Sequence, residues 1–101
     1  SGTVVERESA NTIADGIAVR TPVPEALTDM MGIVDDVLLV SEDGLKSAMK
    51  VVFEKAGLVT EPAGIAGIAA VLEHQALRGK KLATVLCGSN LTAEQVEMWL
   101  R

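Results

Sequence analysis

Aromatic side chains are almost missing from this sequence: one Phe, one Trp and no Tyr, 2% of the chain. A core without large rings must be built from Ala, Val, Leu, Ile and Met at short range, and nine glycines permit that approach. This is the composition of helices lying tightly on a sheet. A single cysteine excludes an internal disulfide and fits a reducing, cytoplasmic setting. The one histidine stands in no cluster with metal-ligand spacing, so no metal is expected. No apolar run approaches the roughly 20 residues that span a bilayer. The opening SGTVVERESAN carries neither the basic start nor the apolar region of a signal peptide. No membrane partner is expected. Positive charge is scarce, nine Lys and Arg against fourteen Asp and Glu for a net charge of -5, and it is scattered, which argues against a nucleic-acid surface.

What is present is a chain of 101 residues, 49% hydrophobic and 23% charged, enough for one domain and too apolar for disorder. Residues 1–11 are polar and aperiodic, an entering loop, and residues 12–19 form a short helical or looped segment. Pro24 suits the first turn of a helix over about residues 25–31, ended by Gly32. Residues 37–40, Val-Leu-Leu-Val, are a short buried strand. Ser41 then caps a helix whose Leu45, Ala48, Met49, Val52, Phe53 and Ala56 fall on one face, and Gly57 closes it. Pro62 opens a helix that runs on to Gly79. Its first half is apolar all round, with Gly64, Ala66, Gly67, Ala69 and Ala70 leaving little room between it and its neighbours. Residues 82–87 are a second buried strand. Thr92 and Gln95 form a capping box for the last helix, with Leu91 stapled on Val96. Strands alternating with helices imply an α/β architecture with parallel pairing. Two strands make a poor sheet, so the chain is expected to be part of a larger domain.

Three stretches carry candidate chemistry. Cys87 lies at the carboxyl end of the second strand, where α/β sheets bind ligands, and Gly88 allows close approach behind it. The plain alternative is a small core residue followed by an ordinary turn. A Cys–His hydrolase is disfavoured, because the only histidine, His74, sits on a distant helix as a surface residue. Glu61-Pro62-Ala63-Gly64 is either a helix start with an acid at its positive end or a carboxylate aimed into a crevice. Thr12-Ile13-Ala14-Asp15-Gly16 alone is little more than a turn.

Taken together, in order and approximate spacing, TIADGIAVRTP from Thr12, VDDVLLVSEDGLKSAM from Val34, LVTEPAGIAGIAAVL from Leu58 and VLCGSN from Val85 resemble the C-terminal part of the threonine/serine dehydratase family. These are fold-type II pyridoxal-phosphate enzymes, which include serine racemase. The resemblance implies a partial three-layer sheet-and-helix unit, mostly helical with at least two buried parallel strands, in which residues 12–101 are the C-terminal part of the catalytic domain. It implies that Cys87, where the family commonly has Ser, faces the pyridine nitrogen of pyridoxal 5'-phosphate, with Gly88 giving the ring room. A thiol hydrogen-bonds that nitrogen without holding it firmly protonated, which moderates the ring as an electron sink. Gly16 and Glu61 would lie near the cofactor. Asn90 would fix the turn or, as in some members, touch a nucleotide effector. Ser89 departs from the family's usual glycine.

The family's Schiff-base lysine and glycine-rich phosphate loop belong to its N-terminal part, and none of Lys46, Lys50, Lys55, Lys80 and Lys81 lies in a matching motif. No catalytic residue is therefore expected in this chain, which alone should neither hold the cofactor stably nor turn over. The implied reaction converts L-threonine or L-serine to a 2-oxo acid and ammonia, in a homo-oligomer that covers the exposed apolar layers. Two alternatives stay open: a binding or assembly module that kept the scaffold without the chemistry, and a racemase of the same family.

Overall fold

The computed structural model describes residues 2–101. Four α-helices follow in chain order: α1, Pro24–Met30; α2, Glu42–Ala56; α3, Ala66–Glu73; and α4, Ala93–Leu100. Short 3₁₀ turns stand at Asp15–Ile17, Ala63–Ile65 and Gln75–Leu77.

Local chemistry sets the limits of α2 and α4. Ser41 is extended, and its hydroxyl accepts from the Gly44 N–H at 2.9 Å, relieving one orphan donor of the first turn. Gly57, at φ +67°, ends α2 in the left-handed region while its N–H donates to the Phe53 carbonyl at 2.9 Å. At α4 the capping box is complete: the Gln95 N–H donates to the Thr92 hydroxyl at 3.2 Å, and the Thr92 N–H donates to Gln95 Oε1 at 2.9 Å. α2 lies centrally and packs on both α3 and α4. Leu45, Ala48, Met49 and Val52 of α2 are buried with Ile65, Ala69, Ala14 and Leu100 as one core, and Leu91, Val96 and Trp99 pack on its margin.

The long helix expected from Pro62 to Gly79 is instead a 3₁₀ turn, α3 and a further 3₁₀ turn. The interruption falls at His74, whose backbone is extended, and there the last side chains of α3 turn to residues 39–41. The Glu73 carboxylate accepts from the Ser41 N–H at 3.0 Å and from the Ser41 hydroxyl, and His74 Nε2–H donates to the Leu39 carbonyl at 2.8 Å. His74, expected as an ordinary surface residue, thus has a defined partner.

The α/β expectation needs a correction. Among the described residues there is no strand: residues 37–40 and 82–87 carry neither strand nor helix structure, and no backbone hydrogen bond joins them. Nor are they buried, with Val37 72%, Leu39 83% and Val85 78% exposed. The reason is that a strand exists only as a partner in a ladder. Both runs border Gly67 of α3, but from two different clefts, and neither meets a neighbour to pair with. A partial helical layer is what these residues build.

Candidate functional site

Three stretches distant in sequence meet at the carboxylate of Glu61. The Glu61 N–H donates to the Gly88 carbonyl at 3.0 Å, and the Glu61 carbonyl accepts from the Gly64 N–H at 3.0 Å. A Cβ added to Gly88 would strike the carboxylate carbon and both oxygens of Glu61. A Cβ on Gly16 would lie 3.6 Å from Glu61 Oε1 and 3.1 Å from the Ala63 Cβ. The Glu61 side chain therefore lies beside two bare glycine Cα atoms, and the space that Gly88 leaves open is held by this carboxylate.

Gly88 has φ +70°, a conformation that side chains rarely adopt, which turns the chain sharply after Cys87. The Gly16 segment is held from α2: the Ile13 N–H donates to Glu42 Oε2 at 2.9 Å, and Thr12 Oγ1 accepts from the Ala14 N–H at 3.1 Å. The Ile13 N–H, followed by the Thr12 hydroxyl, lowers the Glu42 carboxyl below its usual range.

Cys87 is exposed in this chain. With Thr60, Gly88 and Ser89 it lines a shallow cleft of about 180 Å³. Asn90 faces a second cleft of about 340 Å³, together with Asp15, Glu61, Gln95 and Trp99. Cys87 and Asn90 thus look into different spaces, and Glu61 belongs to the second while its backbone is bonded to the turn of the first. Neither cleft is lined by Lys or Arg. An exposed thiol at a glycine turn suits the nitrogen edge of a flat heteroaromatic ring, whereas the acidic second cleft does not suit a phosphate. The residues present fit the ring end of pyridoxal phosphate and not its phosphate end.

Two residues of this region were not named as cofactor-binding from sequence, although Gly64 closes the candidate stretch Glu61-Pro62-Ala63-Gly64. Gly64 lies directly under Cys87, since a Cβ there would fall on the Cys87 carbonyl oxygen. Its signal was the run of small residues after Pro62, which predicts a close neighbour without saying which. Thr60 is buried, and its hydroxyl has no hydrogen-bond partner among the described residues. Nothing in the sequence distinguished it from its apolar neighbours.

The family model described as "Pyridoxal-phosphate dependent enzyme" matches residues 1–88. An L-threonine ammonia-lyase of Thermotoga maritima is 36% identical over 90 residues, covering 89% of this chain and 22% of that protein. The catabolic L-threonine dehydratase of Escherichia coli K12 is 30% identical over 99 residues, covering 95% and 30%. Among solved structures, the T.th. threonine deaminase superposes with a TM-score of 0.83 at 34% identity, over 90% of this chain and 33% of that one. Serine racemase from Dictyostelium discoideum gives 0.75 at 30% identity, over 90% and 29%. The chain spans between 22% and 33% of the length of these relatives. With the family matched over most of its residues and its helices superposed on fold-type II enzymes, the chain belongs to the pyridoxal-phosphate dependent enzymes.

Proposed function

We propose that residues 12–101 form the C-terminal part of the catalytic domain of a dehydratase that converts L-threonine or L-serine to a 2-oxo acid and ammonia. The observation that carries this reading is the meeting of Gly16 and Gly88 at the Glu61 carboxylate, with Cys87 exposed at the residue before Gly88. When bound, pyridoxal phosphate supplies the electron sink for the pair left behind as the α-proton departs. This chain's residues form the wall at the ring end. The Cys87 thiol would be the hydrogen-bond partner of the ring nitrogen, and a thiol, unlike a carboxylate, does not fix a proton there. Glu61, bonded through its backbone to Gly88, holds a carboxylate beside that wall. Gly16 bounds the wall from the side of α2, and Asn90 holds the turn that leads into α4. The phosphate anchor and the cofactor-bearing lysine are assigned to a segment N-terminal to these residues. The intact protein is placed in the cytoplasm as a homo-oligomer, whose subunit contacts cover part of the exposed apolar surface.

The test is to supply the product of the full reading frame with pyridoxal phosphate and with L-threonine or L-serine. Release of 2-oxo acid and ammonia is expected. Conversion of serine to its mirror image without 2-oxo acid would assign the protein to the racemases instead. No change in either amino acid, with cofactor bound, would contradict the reading.

A further inference from the structure

Glu61 and Cys87 stand on separate turns, and each turn presents a glycine to the functional residue of the other. Gly64, three residues after Glu61, lies under the Cys87 carbonyl, where an added Cβ would overlap the oxygen and crowd the carbon and nitrogen of the same residue. Gly88, next to Cys87, lies under the Glu61 carboxylate in the same way. The Glu61 N–H to Gly88 carbonyl bond at 3.0 Å joins the two turns between these contacts. Gly64 is buried in a 3₁₀ turn with no positive φ, so an alanine there meets no backbone objection. Only the Cys87 backbone opposes it. At Gly88 both steric overlap and the left-handed φ of +70° oppose a side chain.

From this reciprocity we infer that Gly64 and Gly88 are positioning residues: together they lock the Cys87 turn against the Glu61 turn and so set where the thiol stands relative to the carboxylate. The inference rests on the ring-wall reading above, because only that reading gives the separation of thiol and carboxylate a chemical role. Gly64 is set apart from Gly67, a few residues on, by what it meets. A Cβ on Gly67 would strike the Thr84 side chain, which can rotate, whereas a Cβ on Gly64 would strike main chain, which can only shift as a unit.

The test uses the full-length protein and reads two quantities. The first is the alkylation rate of Cys87 by iodoacetamide in protein stripped of cofactor, followed by mass spectrometry of the Cys87 peptide. The second is kcat against KM for the amino acid in the loaded protein. Gly64→Ala is expected to lift the turn from its bed, speed alkylation of Cys87 and lower kcat with little change in KM. A misplacement of about 1 Å costs on the order of 100-fold in rate. Gly88→Ala is expected to change alkylation as well, and adding Glu61→Ala to that variant is expected to restore part of the parent rate by clearing the overlap, while the left-handed φ still opposes the new side chain. That rescue also serves if Gly64→Ala fails to fold. Parent-like alkylation in Gly64→Ala, or no rescue of Gly88→Ala by Glu61→Ala, overturns the lock. If alkylation moves as described while the cofactor spectrum and turnover stay at parent values, the lock stands as a structural feature, and the ring-wall reading is what has failed.

Discussion

Thr60 is the one buried polar residue at the margin of the Cys87 cleft, 4% exposed, and its hydroxyl has no hydrogen-bond partner among the described residues. A buried hydroxyl without a partner costs about 1 to 3 kcal/mol of desolvation. Thr60→Val keeps the shape and removes the hydroxyl, so it should stabilise the chain by about 1 kcal/mol or more, read as a raised midpoint in urea unfolding. An unchanged or lowered midpoint would show that the hydroxyl is satisfied in solution. Residues of this kind show how far a sequence can be read at single positions. The small residues after Pro62 announce close contact, and the glycine after Cys87 announces a sharp turn. Which backbone Gly64 touches, and that Glu61 fills the space over Gly88, depends on two turns more than twenty positions apart coming together. No local pattern encodes that meeting.

At the scale of elements, two carboxylates organise the start of α2. Glu42 accepts from the Ile13 N–H, and Glu73 accepts from both the hydroxyl and the N–H of Ser41. Both carboxyls are lowered below 4.5, Glu42 chiefly by the Ile13 N–H and Glu73 chiefly by the Ser41 hydroxyl. Because the folded values lie below the unfolded ones, the stability these groups contribute is complete above the unfolded value and is lost as pH falls through the folded value. Acid should therefore loosen the segments around Thr12 and Ser41 below about pH 4.5. Glu42→Gln and Glu73→Gln should each flatten the dependence of the unfolding midpoint on pH in that window, and a parent-like slope in both would remove the carboxylates from the account. The same helix shows why some elements were legible. The Ser41 cap, the apolar face from Leu45 to Phe53 and the Gly57 terminus all lie within one short stretch, as does the Thr92–Gln95 box of α4. Residues 37–40 and 82–87 have the composition of strands, but pairing is not a local property, and among the described residues no partner strand stands beside either run.

At the scale of the molecule, the chain is a slab of 41 × 34 × 18 Å with a radius of gyration of 14.9 Å, against about 13 Å for a compact domain of 100 residues. So thin a slab leaves Ile33, Val37, Leu39 and Val85 each more than 70% exposed, unmatched by any covering layer among the described residues. Exposed apolar surface beyond a few hundred Å² drives association. The 101-residue chain alone should sediment as a dimer or larger species at high concentration, and a clean monomer would mean that these runs find cover within the chain. The proposed place of Cys87 at the ring nitrogen of a pyridoxal-phosphate dehydratase is tested most directly by 2-oxo acid release from L-threonine by Cys87 variants of the full-length protein. Cys87→Ser should retain substantial turnover, because it keeps a hydrogen-bonding group. Cys87→Ala should lose about 5- to 150-fold, the rate equivalent of about 1 to 3 kcal/mol for a buried nitrogen left unpaired. Parent-like release by Cys87→Ala would contradict the assignment.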